Sequence, residues 1–317
     1  RERERERERE MSSTGSRVLV IGATGGLGRH VVQASLACNC PTYAYVRPSA
    51  VNDPGKATLL HSFQSAGAIL LQGSLEAHDS LVEAIKQADI VVSCVDPANY
   101  LSELKILTGI QEVGTIKRFV LFDYVAAHSV EFYGALKSAI EARDKVMTTV
   151  MGSGVPFTCI VMYGFASYYL ASLGQLDSRA PPTDKVLIAG DGDLKAFMVS
   201  EEDIGMYAIK AALDSRAENK NVHLKLPKNH LSQNEMVSVW ESKTGKTLER
   251  VYESEEDMRK SFQDGSGATF TRLLKHFTFA KGGHNQPLNN SNEVEVLELF
   301  PEVEYINADR YLDRFVK

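Results

Sequence analysis

The chain alternates between short apolar runs and longer stretches in which apolar residues recur every three or four positions. Runs rich in β-branched and aromatic residues predict six strands, at 17–22, 42–46, 68–71, 89–94, 118–122 and 157–161. Helical patterns separate these runs, and parallel strands need such long crossover segments. We therefore predict an α/β fold built on a doubly wound parallel sheet, which binds its ligand at the carboxyl ends of the strands.

The first predicted strand leads directly into three glycines spaced three apart, Gly22, Gly25 and Gly28, which open the next helix. Glycines in this position let backbone N–H groups approach a pyrophosphate, and the helix N-terminus adds partial positive charge. A purely structural glycine turn is the alternative, but the preceding strand and the following helix favour a dinucleotide. We predict an NAD(P)-binding Rossmann sheet whose turn contacts the cofactor through Gly22, Thr24, Gly25, Gly26, Leu27 and Gly28.

Other strand ends are expected to border the same cofactor, with Ser93 and Cys94 at the fourth strand and Phe122 at the fifth. After the second strand, an NAD enzyme usually offers an acid to the ribose 2′-hydroxyl, whereas this chain has Arg47. A guanidinium suits a 2′-phosphate, and Lys56 supplies a second positive charge. The sequence therefore predicts NADPH in preference to NADH. The alternative is that Arg47 is only a solvated charge at a strand end.

The second half of the chain has a different pattern. Segment 185–199 contains two strand-like runs around an Asp-Gly pair, which predicts a β-hairpin. We expect residues 11–160 to form the NADP-binding domain, with later strands near 185–226 able to return to it. Residues 161–317 are then expected to form mainly a smaller C-terminal substrate-binding lobe.

Two helix starts in this half carry capping signals. Ser200 and Asp203 have the spacing of an N-cap and its N3 acid, which predicts a helix running to about residue 213. Ser232 and Glu235 repeat that spacing, and Gly245 is placed to end the second helix.

Composition narrows the choice of partners. The strict Arg-Glu alternation of residues 1–10 is interpreted as an added tag, and it contributes no net charge to the formal −6 of the chain. A mildly acidic chain without a long apolar run predicts a soluble, cytoplasmic protein with no nucleic-acid or membrane partner. The four cysteines are expected to be buried thiols, and no Cys/His grouping has the spacing of a metal site. A metal on Cys38 and Cys40 is the alternative, but two ligands on one loop do not make a site.

The chain resembles the isoflavone reductase-like branch of the short-chain dehydrogenases, a plant group that acts on phenylpropanoids. The segments that carry the resemblance are 22–28, 46–48, 60–68, 113–119, 154–158, 181–186, 190–192 and 299–305. Segments 173–176 and 311–315 look most like the pinoresinol-lariciresinol reductases of lignan biosynthesis. Phenylcoumaran benzylic ether reductases, eugenol synthases and leucoanthocyanidin reductases are close alternatives. The resemblance implies an NADPH-dependent oxidoreductase, a small aromatic substrate and a homodimer.

The chemistry that this resemblance implies is hydride transfer to a benzylic carbon. A base deprotonates a para-phenol, the ring expels the benzylic oxygen, and the resulting quinone methide accepts hydride. The family's base is a lysine, and its position falls on Arg143, which is already protonated at neutral pH and can scarcely abstract a proton. Lys145 becomes the family lysine if the alignment slips, but helical geometry puts the two side chains on roughly opposite sides. We expect Arg143 to face the site and to anchor the substrate phenolate or the cofactor ribose.

Proton transfer is expected from Asp123, Tyr133, Lys137 or Lys145. Tyr133 and Lys137 also have the Tyr-x-x-x-Lys spacing of ordinary short-chain dehydrogenases, which is the basis of a second hypothesis, a carbonyl or imine reductase. Phe122 stands where that chemistry needs a serine, which counts against it. A third hypothesis is an NADPH-binding protein whose catalysis is lost or repurposed.

Aromatic residues cluster after the sixth predicted strand, where a flat phenolic ligand would stack. We expect the substrate to contact Met162, Tyr163, Phe165 and Tyr169. Core packing is the competing explanation for such residues.

Overall fold

The computed structural model describes residues 15–124, 134–263, 269–288 and 290–316. The chain divides into two compact units. The first contains the described residues up to Asp123 together with Ala142–Ile160 and Ile204–Val222. The second contains Tyr124–Glu141, Val161–Asp203 and the residues from His223 onwards.

The strands are numbered in chain order. They are β1 (Val18–Ile21), β2 (Thr42–Val46), β3 (Ile69–Gln72), β4 (Ile90–Ser93), β5 (Arg118–Asp123), β6 (Phe157–Val161), β7 (Gly164–Phe165), β8 (Lys185–Ala189), β9 (Lys195–Val199), β10 (Lys220–His223), β11 (His230–Ser232), β12 (Glu249–Glu253) and β13 (Glu293–Glu295).

The α-helices are numbered in the same way. They are α1 (Gly28–Ala37), α2 (Pro48–Val51), α3 (Pro54–Ser65), α4 (His78–Ile85), α5 (Glu103–Val113), α6 (Gly134–Gly152), α7 (Ala166–Tyr169), α8 (Glu201–Leu213), α9 (Gln233–Thr244), α10 (Glu255–Gln263), α11 (Phe270–Lys275), α12 (Val296–Leu299) and α13 (Ala308–Leu312). Short 3-10 segments lie at Pro97–Ser102, Ser215–Ala217, Pro227–Asn229, Gly283–Asn285 and Asp313–Phe315, and a π-helical turn lies at His276–Ala280.

The first unit carries seven strands of an eight-stranded sheet, in the order β10-β6-β5-β4-β1-β2-β3. β1 pairs in parallel with β2 on one side and with β4 on the other. Every residue of β1, β4, β5 and β6 is buried, as expected of parallel strands covered on both faces. The predicted α/β fold with a parallel sheet is confirmed, and the strand order reverses between β1 and β4, where such sheets bind ligands.

Two helices of this unit meet at a glycine. An added Cβ at Gly205 in α8 would lie 2.7 Å from the backbone carbonyl group of His30 in α1. Gly205→Ala is therefore expected to push the helices apart and to lower the free energy of unfolding by about 1–3 kcal/mol. Urea denaturation measures this change. Gly152→Ala is the matched control, because an added Cβ there meets nothing within 4 Å, and equal stability of the two variants would contradict the prediction.

The second unit contains two small sheets, and they overturn the predicted hairpin. β8 pairs in parallel with β12, whereas β9 pairs with β11 and β7. The hairpin at 185–199 is therefore wrong. Both runs are strands, but each pairs with a strand elsewhere in the second unit, and the Asp-Gly segment joins two different sheets. Turn chemistry is local information, and distant strand pairs decided the outcome.

Both capping predictions are confirmed. Ser232 and Glu235 form a reciprocal capping box at the start of α9, and Gly245 ends that helix in the left-handed conformation with φ of 67°. At the start of α8, the Ser200 hydroxyl accepts a hydrogen bond from the Asp203 N–H at 3.1 Å. In the described parts of the chain, no helix is long and apolar enough to cross a membrane.

Candidate active site

The turn between β1 and α1 requires glycine at two positions. Gly22 has φ of +77°, and an added Cβ would lie 2.5 Å from the Cys94 carbonyl oxygen. At Gly28 an added Cβ would lie 2.1 Å from the Gly22 carbonyl oxygen. The helix begins after Leu27 without a side-chain cap, so its first turn keeps backbone donors for an anion.

Basic side chains lie near this turn. Lys56 is half-buried, and its Nζ lies 3.4 Å from Oγ1 of Thr24. Arg47 is exposed directly after β2, the strand beside β1. Gly25 and Gly26 are exposed on the turn itself. The structure thus brings the predicted glycines together with Thr24 and Lys56 at one strand end.

A buried polar cluster lies further along the same strand ends. It consists of Ser93, Tyr100, Glu103, Asp123, Arg143 and Cys159, all in the first unit. Ser93 donates a 2.8 Å hydrogen bond to Oε1 of Glu103, and the Tyr100 hydroxyl donates to the carbonyl oxygen of Phe122. The Phe122 ring itself is buried. Polar groups so fully withdrawn from water are costly unless they serve each other or a ligand.

Arg143 and Asp123 form the charged part of this cluster. Nη1 of Arg143 lies 3.4 Å from Oδ2 of Asp123, and each side chain is only 4% exposed. Burial alone lowers the pKa of Arg143, but the carboxylates of Asp123 and Asp144 hold it above its ordinary value. The guanidinium therefore stays charged and can bind an anion, but it cannot act as a base at neutral pH.

The two lysines that were considered for proton transfer do not belong to the buried polar cluster. Lys145 is exposed on the same helix. Lys137 is also exposed, and its Nζ lies 3.9 Å from Oε1 of Glu141 on the next turn. Tyr133 lies outside the described residues. The Tyr133–Lys137 pair therefore stays a prediction.

Glu103 is a site residue that sequence reasoning missed. Burial raises its pKa to about 8, although the hydrogen bond from Ser93 opposes the shift. Its Oε2 atom has no hydrogen-bond partner among the described residues. One sequence signal could have found it, because Glu103 occupies the same apolar stripe of α5 as Ile106, Leu107 and Ile110, where an acid is out of place.

The raised pKa of the buried Glu103 carboxyl group predicts how the free energy of unfolding depends on pH. The unfolded chain loses the Glu103 proton near its ordinary pKa of 4.5, whereas the folded chain keeps it to about pH 8. The free energy of unfolding therefore falls as pH rises between these values, by up to about 1.4 kcal/mol per pH unit from this group. Glu103→Gln is expected to flatten that slope, as measured by urea denaturation at several pH values. An unchanged slope would show that Glu103 is ionised in the folded state.

The predicted substrate residues lie in an aromatic part of the second unit. The Tyr163 ring lies 5.3 Å from both the Phe197 and the His284 ring centroids. Tyr169 is buried and its hydroxyl is 3.1 Å from Oγ1 of Thr278. Met162 is fully buried and Phe165 is half-buried. We call Tyr163, Tyr169, Phe197, Phe277 and His284 the aromatic cluster.

His284 is the polar member of the aromatic cluster, and it too was missed by sequence reasoning. Burial lowers its pKa to about 3, so the ring stays neutral. It hydrogen-bonds the backbone of Phe197, and its Nδ1 has no partner among the described residues. The cluster therefore consists of rings around a neutral imidazole, and Tyr169 and Phe277 belong to the hydrophobic core of the second unit. Core packing thus accounts for these two rings, and contact with a substrate stays a prediction for Tyr163.

A parallel sheet with a glycine turn at its switch point, an uncapped helix start and nearby basic groups defines an NAD(P)-binding α/β oxidoreductase class. The chain belongs to the NmrA-like family, whose model matches residues 14–312. It is 43% identical over 305 residues to a phenylcoumaran benzylic ether reductase of Ginkgo biloba, covering 95% of this chain and 99% of that protein.

Solved structures give the same result. An isoflavone reductase crystal structure matches with a TM-score of 0.87 and 38% identity, over 95% of this chain and 100% of the other. The structure of AtPrR2 with NADP+ and (+)pinoresinol matches with a TM-score of 0.87 and 34% identity, over 95% and 99% of the two chains. The resemblance to isoflavone reductase-like proteins that the sequence predicted is confirmed.

Proposed function

We propose that this protein is an NADPH-dependent reductase of phenylpropanoid aromatics. The observation that carries the proposal is the glycine turn with Lys56 beside it, in a chain whose relatives are named as reductases of such compounds. A related protein has been crystallised with NADP+ and an aromatic ligand together.

The residues present fit the cofactor. The space beside Gly22 and Gly28 is closed to any Cβ, so backbone groups line the turn and can approach a pyrophosphate. Lys56 and Arg47 provide positive charge for the 2′-phosphate that distinguishes NADPH from NADH. When bound, NADPH supplies the hydride.

The chain's own residues then bind and polarise the substrate. We propose hydride transfer to a benzylic carbon that has lost its oxygen through a quinone-methide-like intermediate. Arg143 holds an anion, either the substrate phenolate or a cofactor group, because it stays charged in the buried polar cluster. The aromatic cluster contributes apolar faces for a flat ring. Assembly as a homodimer and location in the cytoplasm stay predictions.

The proposal is tested by mixing the protein with NADPH and, separately, dehydrodiconiferyl alcohol, pinoresinol, lariciresinol, coniferyl acetate or leucocyanidin. We expect one of these compounds to accelerate NADPH oxidation, followed by the absorbance of the reduced cofactor, over a control without substrate. NADPH binding without oxidation in all five mixtures would instead support a protein with lost or repurposed catalysis. Simple ketones and imines are offered in parallel mixtures, and NADPH oxidation with these alone would support the carbonyl or imine reductase.

A further inference from the structure

Three buried polar side chains in the second unit form a chain of contacts. The Tyr163 hydroxyl lies 2.9 Å from Nδ1 of His223. On the other side of that imidazole, Nε2 lies 3.9 Å from Oε1 of Glu293. The His223 and Glu293 side chains are each 6% exposed. A phenol, an imidazole and a carboxylate in this order resemble the nucleophile–base–acid arrangement that moves protons in hydrolases.

The position of Tyr163 and His223 in the fold favours a functional role for these contacts. Tyr163 follows the carboxyl end of β6, and His223 is the last residue of β10, the neighbouring strand in the sheet order. The N–H groups of Asn219 and Leu224 donate to the carbonyls of Phe157 and Val161, respectively, so the two strands run in the same direction. The phenol and the imidazole therefore stand at the carboxyl ends of β6 and β10, which are three and four strands away from β1 in the sheet order. The glycine turn follows the carboxyl end of β1, so both groups lie at the edge of the sheet where ligands bind.

The surroundings of Tyr163 are mostly aromatic. The Tyr163 ring packs against Phe197 and against the edge of His284. Three other titratable groups surround these rings. The Tyr169 ring lies 6.0 Å from the His284 ring. The His230 ring stacks on Phe197 at 4.0 Å, and Nζ of Lys225 lies 6.0 Å from the Phe197 centroid. Among the described residues, the Glu293 carboxyl group lies against His223, with Oε1 3.9 Å from Nε2. A carboxylate in that position stabilises the imidazolium.

We propose that Tyr163 is the proton donor of the reduction and that His223 and Glu293 are positioning residues that keep it supplied with a proton. This inference rests on the proposed function. The Tyr163 O–H bond breaks as its proton passes to the oxygen released from the benzylic carbon. Nδ1 of the His223 imidazolium then returns a proton to the Tyr163 oxygen, and solvent reprotonates the imidazole.

The atoms and electrons of this step balance. The benzylic carbon–oxygen bond breaks with its electron pair on oxygen, which takes the proton, and the carbon gains the hydride that NADPH supplies. One substrate, one NADPH and one proton give one reduced product and NADP+. The proposal also gives this chain an acid that does not depend on Arg143, which cannot give up its proton at neutral pH.

The coupling of the three groups can be measured without any substrate. In the whole protein labelled with ¹⁵N-histidine, the His223 titration is followed by NMR. Glu293→Gln is expected to lower the midpoint by at least half a pH unit, and Tyr163→Phe to move the Nδ1 resonance. Tyr311→Phe, a buried tyrosine of the same unit that contacts Arg314, is the matched control and should change neither. An unchanged His223 titration in Glu293→Gln would overturn the proposal.

The catalytic role is measured by single-turnover oxidation of bound NADPH with the substrate that the wild type accepts. Tyr163→Phe is expected to slow this step at least 100-fold and Glu293→Gln about tenfold, with the dissociation constant for NADPH changed less than twofold. Glu293→Gln should also move the pH profile to lower pH. A Tyr163→Phe rate within threefold of the wild type would overturn the relay alone, whereas a wild type without turnover would overturn the proposed function.

Discussion

Gly28→Ala is expected to weaken NADPH binding at least 100-fold. The added Cβ would lie 2.1 Å from the Gly22 carbonyl oxygen, so the turn must open and its backbone donors move away from the pyrophosphate. Loss of about 2.7 kcal/mol of binding free energy corresponds to that factor. The dissociation constant is measured by titrating the protein with NADPH and following nicotinamide fluorescence.

The control for this variant is again Gly152→Ala, an alanine placed at an open position of the first unit. It should bind NADPH as the wild type does. If Gly28→Ala binds NADPH within threefold of the wild type while remaining folded, the glycine turn is not the cofactor site.

The double variant Arg47→Ala with Lys56→Ala is expected to bind NADPH about 100-fold more weakly and NADH within threefold of the wild type. Each charge-assisted hydrogen bond contributes about 1.5–3 kcal/mol, and only the 2′-phosphate of NADPH receives them. Lys56 lies beside Thr24 and Arg47 follows the adjacent strand. Dissociation constants for both nucleotides give the specificity directly.

Lys86→Ala is the matched control for charge, because Lys86 is an exposed lysine of the first unit paired with Glu83. It should change neither constant. An equal loss of NADPH and NADH binding in the double variant would place the two basic side chains at the pyrophosphate instead of the 2′-phosphate.

Six strands of the large sheet could be predicted from sequence because they are short runs of mostly apolar residues, whereas β10 and β13 are polar and were not predicted. β2 and β6 have the predicted bounds, and β1, β3, β4 and β5 differ by one residue at one or both ends. The helix starts at Ser200 and Ser232 were equally predictable, since a cap satisfies donors a few residues away. The pairing of β8 with β12 could not be predicted from sequence, because the two strands are about 60 residues apart.

In the candidate site, too, local motifs could be predicted from sequence, whereas contacts between distant segments could not. The glycine turn is a local motif, so its residues could be grouped from sequence alone, and their contact with the cofactor stays a prediction. The Ser93–Glu103 pair and the contact of Arg143 with Asp123 depend on which strand ends become neighbours. Tyr163, His223 and Glu293 come from segments separated by 60 and 70 positions, and nothing in their local sequence links them.

The most direct test of the central claim is the fate of the hydride. NADPH deuterated at the transferred position is incubated with the protein and dehydrodiconiferyl alcohol or pinoresinol, and the product is analysed by NMR. We expect one deuterium, located at the benzylic carbon that has lost its oxygen. NADPH binding with no deuterium in either compound, or deuterium at a carbonyl carbon of an added ketone instead, would contradict it.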